Sequence, residues 1–273
     1  LESRGARIYS GHTDSNLADD IDLLVYSPAV PETNVERVAA RARGVPEHTN
    51  FEVLGGLSKL FSTIVVSGTN GKSTTTAMLG LMLEAAGYDP TVLVGSLVPG
   101  FRDGNFRHGK GKYFVVEGCE YRANMLHFHP EMVVLTNIEE DHLDYYRDLA
   151  HIQETFQTFV DKVAGKVVVN ADDAGSSVLN VNRSVTYGSD RSHATYAFSN
   201  RKVENGFQQI TTNVGQLNLP IPGEFNVYNA LAATTAAMEL GVPFETCAAV
   251  LREFRGIWRR FERVGVWKGA DVI

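Results

Sequence analysis

Residues 63–80, TIVVSGTNGKSTTTAMLG, bring together two glycines, Gly68 and Gly71, a lysine, Lys72, and a hydroxyl, Ser73, where a β-branched run gives way to a helical one. Glycines at such a turn free backbone N–H groups to point into one concavity, and the positive end of the following helix dipole adds to it. The stretch therefore reads as a phosphate cradle, in which Lys72 supplies a point charge to the β- and γ-phosphates and Ser73 offers its hydroxyl to Mg²⁺. The generic pattern G-x-x-x-x-G-K-[ST] fails, because Val66 stands at the first glycine position and Gly68 comes two residues late. Strand, glycine turn and helix are still present in order, the context such a motif requires. An ordinary strand-to-helix turn with a surface lysine is the alternative.

Further candidates follow other apolar runs. Glu117 and Glu120 come after YFVV, Asn137, Asp141 and His142 after MVVLT, and Asn170 and Asp172 after KVVV. In an open parallel sheet ligands lie beyond the carboxyl ends of the strands, so these groups are expected on the edge that carries the cradle. Mg²⁺ takes a few protein ligands and completes its octahedron with phosphate oxygens and water. Plainer readings stand beside these: Glu117 as a solvated strand-end carboxylate, and the run Glu139, Glu140, Asp141, Asp144 as mostly solvated charge with one or two functional members. His127 and His129 lack further partners for zinc. No motif makes Cys119 a nucleophile, and it reads as a small half-buried thiol.

The elements that must position these groups alternate between strand and helix, which predicts a mostly parallel α/β sheet covered on both faces. Strands are expected at 63–67, 91–94, 113–117, 132–137 and 166–170. The helix after the cradle ends at Gly87, and another over 148–163 carries Ile152, Phe156, Phe159, Val160 and Val163 at helical spacing. Residues 99–111 read as a glycine-rich loop and 183–219, with an Asn205-Gly206 turn, as a small antiparallel patch. Helices over 226–240 and 244–254 follow, and the chain closes in what reads as a strand. Ahead of the cradle, strands at 6–9 and 21–26, a helix over 35–43 capped by Asn34, and a helix over 51–61 suggest a βαβ remnant without its opening strand and glycine turn. The expected domains are 1–60, 61–256 and 257–273.

With 273 residues the chain is long enough for one or two domains, and its net charge of -7 argues against nucleic acid or an anionic membrane as partner. No apolar run spans a bilayer and LESRGARIYS lacks the marks of a signal peptide, so the cytoplasm is the expected compartment. The two cysteines, Cys119 and Cys247, form no zinc or disulfide pattern and are expected as thiols.

The segments SGTNGKSTTT, EGCEY, HPEMVVLTNIEEDHLDYY, VVVNADD, IPGEFNVYNALAA and GIWRRFE, in that order, resemble the central ATPase domain of the Mur ligases, which form amide bonds in peptidoglycan precursor synthesis. GHTDSNLADDIDLLVYSPAVPETNVE is similar to the end of the UDP-binding domain in the branch that joins L-alanine to UDP-N-acetylmuramate. The resemblance implies a P-loop ATPase domain at 61–256, after a partial Rossmann-like UDP-sugar-binding domain at 1–60. Residues 257–273 would begin the linker to a third domain, so a fragment is expected, or else a naturally reduced relative.

Carried over, the resemblance implies that ATP is held by Gly68, Thr69, Asn70, Gly71, Lys72, Ser73 and Thr74, with help from Asn226 and Asn229. Ser73 and Glu117 would hold a first Mg²⁺ and His142 a second, while Arg260 faces the phosphates. Lys72, Glu117, His142 and Arg260 are then the expected catalytic groups. Three departures accompany it: Phe225 stands where the family usually shows His, Cys119 where Asp is usual, and no lysine lies between His142 and Lys162. The last is similar to the alanine-adding branch, because other branches carry a carbamylated lysine there. A ligase that attaches a preformed tripeptide, and an inactive nucleotide-binding module, are the alternatives.

Overall fold

The computed structural model describes residues 2, 5–204, 206–260 and 265–272. The chain divides after Leu57 into two compact units. In the first, β1 (Leu24–Tyr26), α1 (Val35–Ala42) and β2 (Glu47–Thr49) form a parallel βαβ turn. The Asn34 side chain accepts the N–H groups of Glu36 and Arg37, at 3.0 and 3.3 Å, and so starts α1. Arg37 and Arg41 each lie 2.9 Å from a Glu47 oxygen and tie the helix to β2. Residues 6–9, expected as a strand, are irregular and exposed, and the strand expected over 21–26 shortens to β1. Among the described residues no neighbour offers 6–9 a hydrogen-bond ladder, and an unpartnered segment gains nothing from its β-branched content. Next, α2 (Asn50–Ser58) opens with a reciprocal capping pair: Glu52 N–H donates to Thr49 Oγ1 at 3.1 Å, and Thr49 N–H to the Glu52 carboxylate at 2.6 Å.

The second unit is built on a sheet of ten strands. In chain order its elements are β3 (Ser62–Ser67), α3 (Lys72–Ala85), β4 (Thr91–Leu93), β5 (Phe106–Arg107), β6 (Tyr113–Gly118), β7 (Met132–Leu135), α4 (Leu149–Val160), β8 (Lys166–Asn170), β9 (Ser184–Ser189), β10 (Tyr196–Glu204), β11 (Phe207–Thr212), β12 (Gly215–Leu219), α5 (Glu224–Glu239) and α6 (Phe244–Glu253). The spatial order is β12-β11-β10-β9-β8-β7-β3-β6-β4-β5. From β10 to β4 neighbours run parallel, and β5, β11 and β12 pair antiparallel at the two margins.

Two details differ from the sequence reading. β9 does not belong to a separate antiparallel patch but continues the parallel sheet beside β8, and the patch extends the same sheet. The glycine-rich loop contains β5, whose two residues pair with β4. A hairpin of β13 (Gly265–Trp267) and β14 (Ala270–Val272) closes the chain. Asn205 lies outside the described residues, as does the 261–264 part of the expected linker.

Strand alternation sends Ile64, Val66, Val115, Val134 and Val168 into one core with the buried residues of α3, α5 and α6. α3 and α5 are buried nearly all round, which explains their lack of an amphipathic stripe. α4 buries Ile152, Phe156, Phe159 and Val160. The register pairs Ser67 with both Gly118 and Leu135, and Leu135 with Val169, so the carboxyl ends of β6, β3, β7 and β8 finish level. No described helix is long and apolar enough to cross a membrane.

Candidate functional site

The turn after β3 is fixed by two close approaches. Gly68 has φ 134, and a Cβ there would sit 2.2 Å from Thr136 Oγ1 and 2.7 Å from the Asn137 carbonyl oxygen. Gly71 has φ 85, and its Cβ would meet Asn229 Oδ1 at 2.2 Å. Only glycine combines that backbone with that clearance. The loop is bolted to the end of β7: Thr69 N–H donates to the Asn137 carbonyl at 2.8 Å, Asn70 N–H to Asn137 Oδ1 at 3.0 Å, and Thr136 Oγ1 to the Asn70 carbonyl at 2.6 Å. The N–H groups of Thr69 and Asn70 are therefore engaged within the protein, on Asn137. What remains is the opening of α3, where Gly71 provides no side-chain cap and the first-turn N–H groups have no helical acceptor. An uncapped helix start with no room for a Cβ suits a phosphate.

Around it stands a charged cluster. Lys72 Nζ donates to the carbonyls of Gly68 (2.6 Å) and Thr69 (2.9 Å) and to Glu120 Oε1 (2.9 Å), with Glu120 Oε2 at 2.7 Å. Glu120 is only 3% exposed. Its Oε1 also lies 3.5 Å from His142 Nε2. His142, at φ 53, packs its ring 4.7 Å from that of Tyr121. Buried Ser73 donates its hydroxyl to Glu117 Oε2 at 3.0 Å, and Gly95 N–H donates to Glu117 Oε1. Burial pushes the Glu117 carboxyl above its ordinary value, while the Gly95 and Ser73 donors and the charges of Arg260 and Lys72 pull it back.

Ser73 and Glu117 form a pair of hard oxygen donors that fits Mg²⁺. A second possible cation group joins Glu120, Asp141 and His142, whose ligand atoms lie within 4.8 Å of one another. The sequence reading expects His142 at a second ion, apart from Ser73 and Glu117; the acidic groups beside it are Glu120 and Asp141.

Beside the cluster opens a cleft of about 800 Å³ lined by Asn70 and Gly71 from the loop, Thr74 from the first turn of α3, Asn226 and Asn229 from α5, and Arg260. That volume is within the range of small-molecule sites. Asn229 Nδ2 donates to Asn226 Oδ1 at 3.2 Å, Asn226 Nδ2 to the Pro222 carbonyl at 2.6 Å, and Thr75 Oγ1 to Asn229 Oδ1 at 3.3 Å. Both asparagines are buried, one helical turn apart on one face of α5. Phe225, 56% exposed, lies on the cleft's rim. Tyr187, Tyr228 and Asp172 also line the cleft. Tyr228 donates to Asp172 Oδ2 at 3.0 Å. Burial alone would raise the Asp172 carboxyl, yet hydrogen bonds from Ser189, Tyr228 and Ser192 together hold it below the ordinary value.

The structure thus brings Lys72, Ser73, Glu117 and His142 around the loop and Asn70, Gly71, Thr74, Asn226, Asn229 and Arg260 around the cleft. Sequence reasoning gave no role to the Asn137 clamp or to the wall tyrosines, and it noted Glu120 only as a strand-end carboxylate. Glu120 sits three residues beyond Glu117, and that spacing is the one signal that could have singled it out.

A family model described as the Mur ligase middle domain matches residues 66–237, and one described as Mur ligase family, catalytic domain matches residues 1–62. The UDP-N-acetylmuramate–L-alanine ligase of Acetivibrio thermocellus is 37% identical over 287 residues, covering 100% of this chain and 60% of the relative. That of Caldicellulosiruptor bescii is 38% identical, covering 98% and 61%. The chain therefore spans about three fifths of the length of the curated relatives it matches. Among solved structures, UDP-N-acetylmuramate-alanine ligase from Thermotoga maritima superposes with a TM-score of 0.86 at 29% identity, covering 97% of this chain and 61% of that one. The UDP-N-acetylmuramate:L-alanyl-gamma-D-glutamyl-meso-diaminopimelate ligase from Neisseria meningitides gives 0.83 at 25% identity, covering 95% and 87%.

Proposed function

The chain belongs to the Mur ligase family, and from that premise we propose that it is the nucleotide-binding portion of a cytoplasmic ligase that joins L-alanine to UDP-N-acetylmuramate with hydrolysis of ATP to ADP and phosphate. The observation that carries the reading is the uncapped start of α3, flanked by Lys72 on one side and the asparagine-lined cleft on the other. A triphosphate lies naturally across the first and its nucleoside in the second. The names of the similar proteins supply the acceptor and the amino acid.

In this reaction the carboxylate of the sugar nucleotide attacks the γ-phosphorus, the bond to the β-phosphate oxygen breaks, and an acyl phosphate and ADP result. The amine of L-alanine then adds to the acyl carbon, and phosphate leaves from the tetrahedral intermediate. Such chemistry depends mainly on positioning and on charge neutralisation. We assign Lys72 to the β- and γ-phosphates and Arg260 to phosphate charge at the mouth of the cleft. Gly68, Thr69, Asn70 and Gly71 shape the loop, Thr74 lines the cleft from α3, and Asn226 and Asn229 hold the nucleoside side. Ser73 and Glu117 would hold a magnesium ion, which neutralises phosphate charge when bound, and His142 would hold a second.

The test is phosphate release by the full-length protein given ATP, Mg²⁺, UDP-N-acetylmuramate and L-alanine. Absence of release while ATP still binds would overturn the ligase reading. The likeness to the Neisseria enzyme, which extends over most of that chain, favours a second reading in which the acceptor amine belongs to a preformed tripeptide. Comparing free L-alanine with the tripeptide under the same conditions decides between them.

A further inference from the structure

We propose that Glu120 is a positioning residue that controls how Lys72 is presented to a triphosphate. The inference rests on the nucleotide reading above. An ammonium has three protons to donate, and in Lys72 the acceptors are the Gly68 carbonyl, the Thr69 carbonyl and the Glu120 carboxylate. The donor set is full, so a phosphate oxygen that engages Lys72 displaces one of these partners. The two carbonyls belong to a loop clamped by Asn137 and Thr136. Glu120 contributes a side chain, which can turn away, and His142 Nε2 stands 3.5 Å from its Oε1 to receive it. The backbone of Glu120 stays in place, because the buried Tyr146 hydroxyl donates to its carbonyl.

A carboxylate 3% exposed beside a phosphate site is electrostatically costly for a tetra-anion. It restrains the lysine and lowers the affinity of the site, and in exchange fixes the ammonium in one geometry for the transfer step. Glu120 therefore acts through Lys72 and not on the reacting atoms. Among the described residues, the other charged and titratable groups facing this carboxylate are His142 and, through their shared cluster, Asp141, with Cys119 and Tyr146 close enough to feel its charge.

The test is calorimetric titration of the chain with the ATP analogue adenylyl imidodiphosphate, with and without Mg²⁺, in wild type, Glu120→Gln and Glu120→Asp. Glutamine keeps the shape and one acceptor but loses the charge, so binding is expected to tighten about tenfold in both conditions, with a thermal melt close to wild type. Aspartate keeps the charge but is one methylene short, and is expected to tighten binding about threefold or less. In the full-length enzyme Glu120→Gln should lower the KM for ATP and lower kcat about tenfold, a split that simple loss of folded protein does not produce. Unchanged affinity in Glu120→Gln with wild-type binding intact overturns the inference alone, as does weaker binding seen only with Mg²⁺, which would make Glu120 a metal ligand. Absence of binding by the wild-type chain overturns the nucleotide reading and the inference together.

Discussion

The two halves of the site are built from different chemistry. Around the loop, five side chains that carry or can carry charge, Lys72, Glu117, Glu120, Asp141 and His142, hold one another at 2.7 to 3.8 Å or act across the loop electrostatically. In the cleft, neutral amides and phenols predominate, already hydrogen-bonded to the scaffold through Asn226, Asn229, Tyr187 and Tyr228. The first is suited to a ligand that changes charge during reaction, and its strength depends on where ions stand. The second recognises shape, and each of its polar groups has little freedom to rearrange. The halves meet at Gly71, whose missing Cβ lets Asn229 approach the loop.

The largest effect that tests this contrast is expected from Lys72→Ala. Calorimetry should show more than a hundredfold loss of affinity for both ATP and inorganic tripolyphosphate. Urea unfolding should show about 3 kcal/mol of destabilisation, because Glu120 then remains buried without its cation. Retention of tripolyphosphate binding would break the assignment of charge to the loop. Gly71→Ala should come next. Its Cβ would lie 2.2 Å from Asn229 Oδ1 at φ 85, so the Asn229 side chain must turn away or the loop must shift. ATP affinity should fall about thirtyfold, with roughly 1–2 kcal/mol of stability lost.

Asn229→Ala sharpens the comparison from the other side. It removes a buried amide and leaves Thr75 Oγ1 without its acceptor, which corresponds to about 1.4 kcal/mol and a tenfold loss for ATP. Tripolyphosphate binding should change less than twofold, and an equal loss for both ligands would mean that the halves are not separable.

The smallest effect is confined to alkaline pH. Burial raises the Tyr146 hydroxyl from its ordinary 10 to about 12. A raised folded-state value means that the neutral phenol is the stabilised form, so this contribution is complete below pH 10 and is lost as pH rises toward 12. Thermal melts of wild type against Tyr146→Phe across that window should converge as the pH rises, the variant lacking this titration.

Much of this arrangement was legible in the sequence. The run from Thr63 to Ser67, the glycines at 68 and 71 and the apolar helix after Lys72 specify a strand, a turn and a buried helix by local rules alone. So does the placement of Glu117, Asn137 and Asn170 at strand ends, because short β-branched runs mark those ends whatever the tertiary context. Strand partners were less legible. β9 and β11 are both short six-residue strands, yet one pairs parallel and the other antiparallel, since strand pairing depends on tertiary context. The segment 6–9 has strand-forming residues and no ladder to join.

The sequence alone determined the glycine turn between strand and helix, the order of alternating strands and helices, and the edge on which the strand-end groups gather, because these follow from periodicity, glycine geometry and strand direction. Only the tertiary structure decided which groups touch. Lys72 and Glu120 are 48 residues apart, and Gly71 and Asn229 more than three times as far, so their contacts exist only once the sheet register brings β3, β6 and β7 level and α5 packs against α3. Contacts of this kind are set by the geometry of the packed sheet, and no local propensity records them.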